Sequence, residues 1–192
     1  MPRVVVLEGP DGSGKSHHAD SLANLLRQRG HRALAFHHHM RVPGDHWGAA
    51  LDFALQRNLI LQVRHDDPDL FLVADRWAES TLAVSHTLRG SVEAGHLKQA
   101  LTSLYHAEVA RLPDPLVRFY LDAQDSVLDE RITFRTKEVP TFFDLQKRAA
   151  MRRVFEPHHG LYCQRIDTGG NSMEVDKAML EHLLSLPNQE ST

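Results

Sequence analysis

Val4-Val5-Val6-Leu7-Glu8-Gly9-Pro10-Asp11-Gly12-Ser13-Gly14-Lys15-Ser16 is the stretch on which the fold turns. Its four apolar residues read as a buried strand, and Ala19, Leu22, Ala23 and Leu26 then recur at helical spacing until Gly30 offers a stop. Between strand and helix lies Gly-x-x-x-x-Gly-Lys-Ser, in the structural context that a phosphate-cradling loop requires. Glycines let the backbone amides turn inward on phosphates, and the helix N-terminus adds positive potential. Gly9, Gly12, Ser13 and Gly14 are therefore expected to line a nucleoside triphosphate, with Lys15 bridging its outer phosphates and the Ser16 hydroxyl on a magnesium ion. Asp11 carries two readings. It is a turn-forming aspartate between Pro10 and Gly12, or a carboxylate beside the transferred phosphate that needs something positive or hydroxylic to compensate its charge, as a substrate hydroxyl or a metal-bound water would.

Working outward, short apolar runs alternate with helical periodicity, the pattern of repeated βαβ units around a mostly parallel sheet. Ala33 to Phe36, Leu70 to Ala74, Leu116 to Leu121 and Arg165 to Asp167 supply further strands. Helices are expected over Trp47 to Arg64, Ser80 to Leu88, Val92 to Arg111, Ser126 to Arg135, Phe142 to Leu161 and Met173 to Leu186. The expectation is one domain over residues 1–192, a three-layer α/β/α fold with a five-stranded parallel sheet and a small lid near residues 133–141. Ligands of such sheets bind beyond the carboxyl ends of the strands, which gathers Glu8, Asp11, Arg41, Asp75 and Arg76 at one mouth.

Composition bounds the partners. A length of 192 residues with 42% hydrophobic content buries a substantial core without cross-links, and the single cysteine, Cys163, excludes an internal disulfide. A formal charge of -3 argues against nonspecific coating of nucleic acid, so any anion site must be local. No apolar run approaches the ~20 residues that cross a bilayer, and no signal-peptide pattern precedes the first strand, so a cytoplasmic protein is expected. His37-His38-His39 invites a zinc reading, but neighbours in an extended segment point to opposite faces. Magnesium is the expected metal. Met151 and Met179 read as apolar core or boundary positions.

Leu7 to Ser16 resembles the opening of thymidylate kinases and related nucleoside monophosphate kinases, and further segments extend the resemblance in order from about residue 3 to 168. Arg41-Val42-Pro43-Gly44 is similar to the family's Arg-Glu-Pro-Gly, where the arginine approaches the acceptor monophosphate. Leu51 to Arg57 resembles the helix that brings Phe53 to the acceptor base and Arg57 to its phosphate. Asp75-Arg76-Trp77 with Ser80-Thr81-Leu82-Ala83 resembles the segment that closes over the acceptor and the magnesium, giving Asp75 to the metal and Arg76 and Ser80 to the substrate. Pro113-Asp114-Pro115 and Leu121-Asp122 resemble the pair before the lid helix. The resemblance implies that the loop at Asp167-Thr168 faces the donor adenine, and that the protein is a homodimer.

The physics of the implied reaction suits these residues, because a monophosphate brings about two negative charges toward a triphosphate and needs fixed guanidinium groups. Arg131 and Arg135, four residues apart on one helical face, either swing from a lid to neutralise the transferring group or lie on a solvated surface. Phe53 either stacks on a base or belongs to the apolar face of its helix. Val84-Ser85 stands where the family usually has Tyr-Gln beside the acceptor, and Val42 replaces a glutamate, so the acceptor pocket is altered. The leading expectation is γ-phosphoryl transfer from ATP to a small-molecule nucleoside monophosphate, thymidine monophosphate first, with Asp11, Glu8 and Asp75 orienting the sugar or the metal shell. The alternatives are a modified pyrimidine nucleotide, a nucleoside or a hydroxymethyl-pyrimidine within DNA as acceptor, and a non-catalytic nucleotide switch.

Overall fold

Each of five short strands ends, at its carboxyl end, in a residue that can carry charge: Glu8, His37, Asp75, Asp122 and Asp167. The computed structural model of the chain describes residues 4–37, 57–60, 62–63, 65–77, 79–80, 95–96, 98–100, 102–103, 106, 116–137, 142–155 and 163–187, with the side chains of 142–144 and 155 excepted. In chain order the elements are β1 (Val4–Glu8), α1 (Lys15–Gln28), β2 (Ala33–His37), β3 (Phe71–Asp75), β4 (Val117–Asp122), α2 (Asp125–Thr136), α3 (Phe142–Phe155), β5 (Cys163–Asp167) and α4 (Ser172–Ser185). The strands form one all-parallel sheet in the order β2-β3-β1-β4-β5.

Every residue of β1 is buried, as a central strand covered on both faces must be. Side-chain alternation divides the core between the two faces. Val5, Leu7, Phe71, Val73, Phe119 and Leu121 pack with Ala19, Leu22, Ala23 and Leu26 of α1 and Val175, Met179 and Leu183 of α4. Val4, Val6, Leu72 and Ala74 point the other way, onto Ile60, Trp77 and Leu116, and Tyr120 meets Met151 and Val154 of α3. At about 25 cal/mol per Å² of apolar surface removed from water, these two layers supply the main driving force of the fold. Helices α1 and α4 are also joined by polar contacts: the buried Asp176 carboxylate meets His18 Nδ1 at 2.6 Å and accepts from Ser21 Oγ at 2.5 Å.

The strands expected from the sequence are all present, four of them reaching one residue further at the carboxyl end, and β5 begins at Cys163 rather than Arg165. Residues 57–60, 62–63 and 65–66 are helical, as are 95–96 and 98–100. The rest of the helices expected over 47–64, 80–88 and 92–111 lies largely outside the described residues. Helix α2 continues through Thr136 to an αL C-cap at Lys137, whose N–H reaches Thr133 O at 2.8 Å, so the first four residues expected in the lid are helix. Residues 138–141 lie outside the described residues. Among the described residues no helix is long and apolar enough to cross a membrane.

Candidate functional site

The loop from Gly9 to Gly14 joins β1 to α1 and closes tightly on β4. Gly9 has φ +146°, and a Cβ there would stand 2.0 Å from the carbonyl oxygen of Leu121, so only glycine fits. Helix α1 starts at Lys15 with no side-chain N-cap, which leaves its first amides facing the loop. The buried Lys15 ammonium folds back over the loop and donates to Pro10 O at 2.7 Å and Ser13 Oγ at 3.5 Å. Burial first, and then the neighbouring Arg76 guanidinium, push its pKa down to about 7.

That depression has a pH consequence. An anion placed against Lys15 favours its charged form and raises the pKa again, so binding must be accompanied by proton uptake. At pH 8 about nine-tenths of empty sites are neutral at Lys15 and magnesium-bound triphosphate should take up close to one proton, whereas at pH 6 uptake should be near zero. Affinity should fall as pH rises above about 7. Calorimetry in buffers of different ionisation enthalpy measures this directly, and absence of uptake at pH 8 contradicts it.

A cavity of about 390 Å³ opens at the N-terminus of α1, lined by Asp11, Gly12, Gly14, Lys15, Ser16, His17, Asp75, Arg76, Arg131 and Arg135. On one wall the Ser16 hydroxyl donates to Asp75 Oδ2. Hydroxyl and carboxylate oxygens are the hard donors that magnesium takes, usually with waters and substrate phosphates completing the octahedron, so this pair fits the ion expected there. His37 stands behind it, with Nδ1 3.5 Å from Asp75 Oδ2 and Nε2 3.0 Å from Asp20 Oδ1. His38 and His39 lie outside the described residues.

Asp11 has the positive neighbours that its charge requires. Its charge is compensated by protein cations rather than awaiting a hydroxyl or a metal-bound water: Arg76 donates to Oδ1, and Lys147 of α3 donates to Oδ2 at 2.8 Å. Burial alone pushes the Asp11 carboxyl up, but Arg76, then Lys147 and Lys15, overcome this and hold it well below the usual carboxylate range. Arg76 itself takes a left-handed backbone (φ +77°), its N–H donates to Leu7 O at 2.9 Å, and its guanidinium donates to Ser80 Oγ at 3.2 Å. A strained φ at a non-glycine residue costs on the order of 1–3 kcal/mol and persists only where the surroundings enforce it.

Glu8 differs from its expected place beside the sugar or the metal. It is fully buried and accepts from Trp77 N at 2.6 Å, Ser80 N at 3.0 Å and the Ser80 hydroxyl. It thereby fixes the turn after β3 that carries Arg76, and Ser80 is engaged in the same lock. Burial, then the nearby Glu79, push its pKa up to about 7.

Arg131 is tethered rather than swinging. Its guanidinium donates to Gly12 O at 3.3 Å, Thr168 O at 2.7 Å and Thr168 Oγ1 at 3.3 Å, which ties the loop to the end of β5. Arg135, one turn later, is exposed on the cavity wall. Asp167 is exposed and accepts from Gly169 N at 2.8 Å, and it lines a second cavity of about 550 Å³ with Asp122, Arg152 and Arg165. Arg57 is 2% exposed, within the protein interior. Arg41, Phe53, Val84 and Ser85 lie outside the described residues.

No family model matches this chain, and no curated protein matches it. The site therefore speaks through its own geometry. Sequence reasoning missed Lys147, because a lone lysine on an amphipathic helix is indistinguishable from a solvated one. It missed the Asp122 cluster for the same reason: Asp122 takes two bonds from Arg152, at 2.9 and 3.0 Å, and one from Arg165 at 2.6 Å.

Proposed function

We propose that this chain is an ATP-dependent nucleoside monophosphate kinase, with thymidine monophosphate as the first acceptor to test. The observation that carries the reading is the cavity at the start of α1, where Lys15, the Ser16–Asp75 oxygen pair, Arg76, Arg131 and Arg135 share one wall. In a chain of formal charge -3 such a cluster of cations is a local anion site. The position agrees with it, because the crevice lies beyond the carboxyl ends of β1 and β3, beside the central strand of the sheet.

The chemistry follows as positioning. The amides of the Gly9–Ser16 loop and Lys15 hold the outer phosphates of ATP, while Arg76 faces the phosphate of the acceptor. A non-bridging oxygen of that phosphate forms a bond to the γ-phosphorus as the bond to the β,γ-bridging oxygen breaks, and the electron pair leaves on ADP. No proton has to move. Arg76 and the exposed Arg135 spread the developing charge, and preorganised cations act at little reorganisation cost. A magnesium ion on Ser16 and Asp75 would neutralise charge on the donor phosphates.

The test is ADP formation from ATP and magnesium with a panel of deoxy and ribonucleoside monophosphates, alongside nucleosides and hydroxymethyl-pyrimidine DNA. Thymidine monophosphate is expected to give the highest kcat/KM. A different reacting acceptor replaces it as substrate and assigns the altered Val84-Ser85 positions a specificity role; a silent panel with intact ATP binding leaves the non-catalytic switch.

A further inference from the structure

Two cations from distant elements share one carboxylate in the wall of the cavity. Asp11 gives Oδ1 to Arg76 and Oδ2 to Lys147. Arg76 is fixed by its backbone bond to Leu7 and by Ser80. Lys147 is fixed by the helix that carries it, because α3 is strapped down on either side of the next turn. The buried Arg148 donates to Asp129 Oδ1 at 2.7 Å and lies 3.2 Å from Asp125, and Arg152 grips Asp122. The Lys147 side chain is 20% exposed and is not part of the lining of the cavity that holds Arg76 and Arg135.

A carboxylate and a guanidinium left alone close into a bidentate pair, two parallel hydrogen bonds that consume the charge of both. Here the pair has not closed: Arg76 donates to Oδ1, and Oδ2 accepts from Lys147 at 2.8 Å. The three groups together carry one net positive charge, and Arg76 lines the cavity.

We propose that Lys147 is a positioning residue that keeps Arg76 available to the acceptor phosphate by occupying Asp11 Oδ2. This rests on the phosphoryl-transfer reading for the identity of the acceptor, and it assigns to α3 a part in acceptor affinity. Without Lys147, Asp11 closes on Arg76 and neutralises it. With Asp11 also neutralised, the carboxylate that closes on Arg76 is gone and its hold on a phosphate returns.

The experiment is calorimetric titration of the four common deoxynucleoside monophosphates in turn, on the full chain. Lys147→Met should weaken the best of them at least about tenfold while ATP affinity changes by less than about threefold. Lys147→Arg should bind as the parent does. Adding Asp11→Asn to Lys147→Met should restore affinity to within about threefold of the parent, a rescue that a merely structural lysine would not produce. Lys147→Gln repeats the test should the methionine variant fold poorly, with folding followed by thermal denaturation. Unchanged affinity in Lys147→Met, absence of rescue in the double variant, or a parent protein that binds no monophosphate overturns the proposal. Turnover plays no part in this readout, so a parent that binds monophosphate but transfers nothing defeats the kinase reading alone.

Discussion

Lys15→Met is expected to lower phosphoryl transfer by about a hundred- to a thousandfold, the scale seen when one preorganised donor is removed from a reacting centre, while leaving the protein at least as stable as before. The activity arm follows from the placement of Lys15 at the head of α1, within the cavity that gathers Ser16, Asp75 and the arginines. Methionine fills a similar volume but brings no charge to the phosphates. The stability arm follows from burial. The folded protein depresses the Lys15 pKa to about 7 from its ordinary 10.5, so across that interval the unfolded chain binds more protons than the folded one. Stability of the parent therefore rises with pH between about 7 and 10.5, and below pH 7 it carries a buried ammonium. Methionine has no such penalty, so the gain over the parent should be largest below pH 7 and close toward pH 10.5. Thermal melts across pH, together with ADP formation, measure both arms. Transfer within tenfold of the parent would sink the kinase reading, and a joint loss of folding and activity would make Lys15 a structural residue.

Gly9→Ala is expected to destabilise the fold by about 3–5 kcal/mol, enough to remove much of the ~5–15 kcal/mol that holds a typical domain together. The added Cβ meets a backbone carbonyl, Leu121 O, at 2.0 Å, with the Ser13 hydroxyl at 2.9 Å. A backbone group in the middle of a parallel sheet cannot step aside without breaking its ladder to β5, where Leu121 is registered with Ile166. The backbone φ of +146° adds strain that any side chain would feel. Gly30→Ala supplies the control. Its φ is +83°, yet a Cβ there meets nothing within 4 Å, so its cost should be only about 1 kcal/mol. Urea denaturation of both variants separates the two effects. A Gly9 variant no worse than the Gly30 variant would mean that β1 and β4 lie farther apart at this point than the structure places them.

Much of the fold could be read locally. The apolar run of β1, the period of α1 and the stop at Gly30 depend on residues within a few positions of one another, and the structure has all three. The exposed ends of elements were harder. β5 is an edge strand of mixed burial, and three of the five residues Cys163-Gln164-Arg165-Ile166-Asp167 are polar, so its first two residues form no apolar run. In the site, Ser16 and Asp75 were expected to share a metal and lie in hydrogen-bond contact. Glu8 was expected at the ligand and is instead enclosed, because a carboxylate at the end of a strand reads the same whether it faces a crevice or a turn of its own chain.

What the sequence by itself determined is the parallel α/β class, the loop between β1 and α1, and the polar residues at the mouths of the strands, since each is set by periodicity or by glycine chemistry over short distances. Only the tertiary structure decided which charges meet. Lys147 reaches Asp11 across 136 positions of sequence, Ser80 reaches Glu8 across 72, and Arg131 reaches Thr168 across 37. The first and last arise from the way α3 and α2 pack beside the loop, and the second from the turn after β3. A charged side chain on a helix carries no mark of its partner until packing turns one face of that helix toward it.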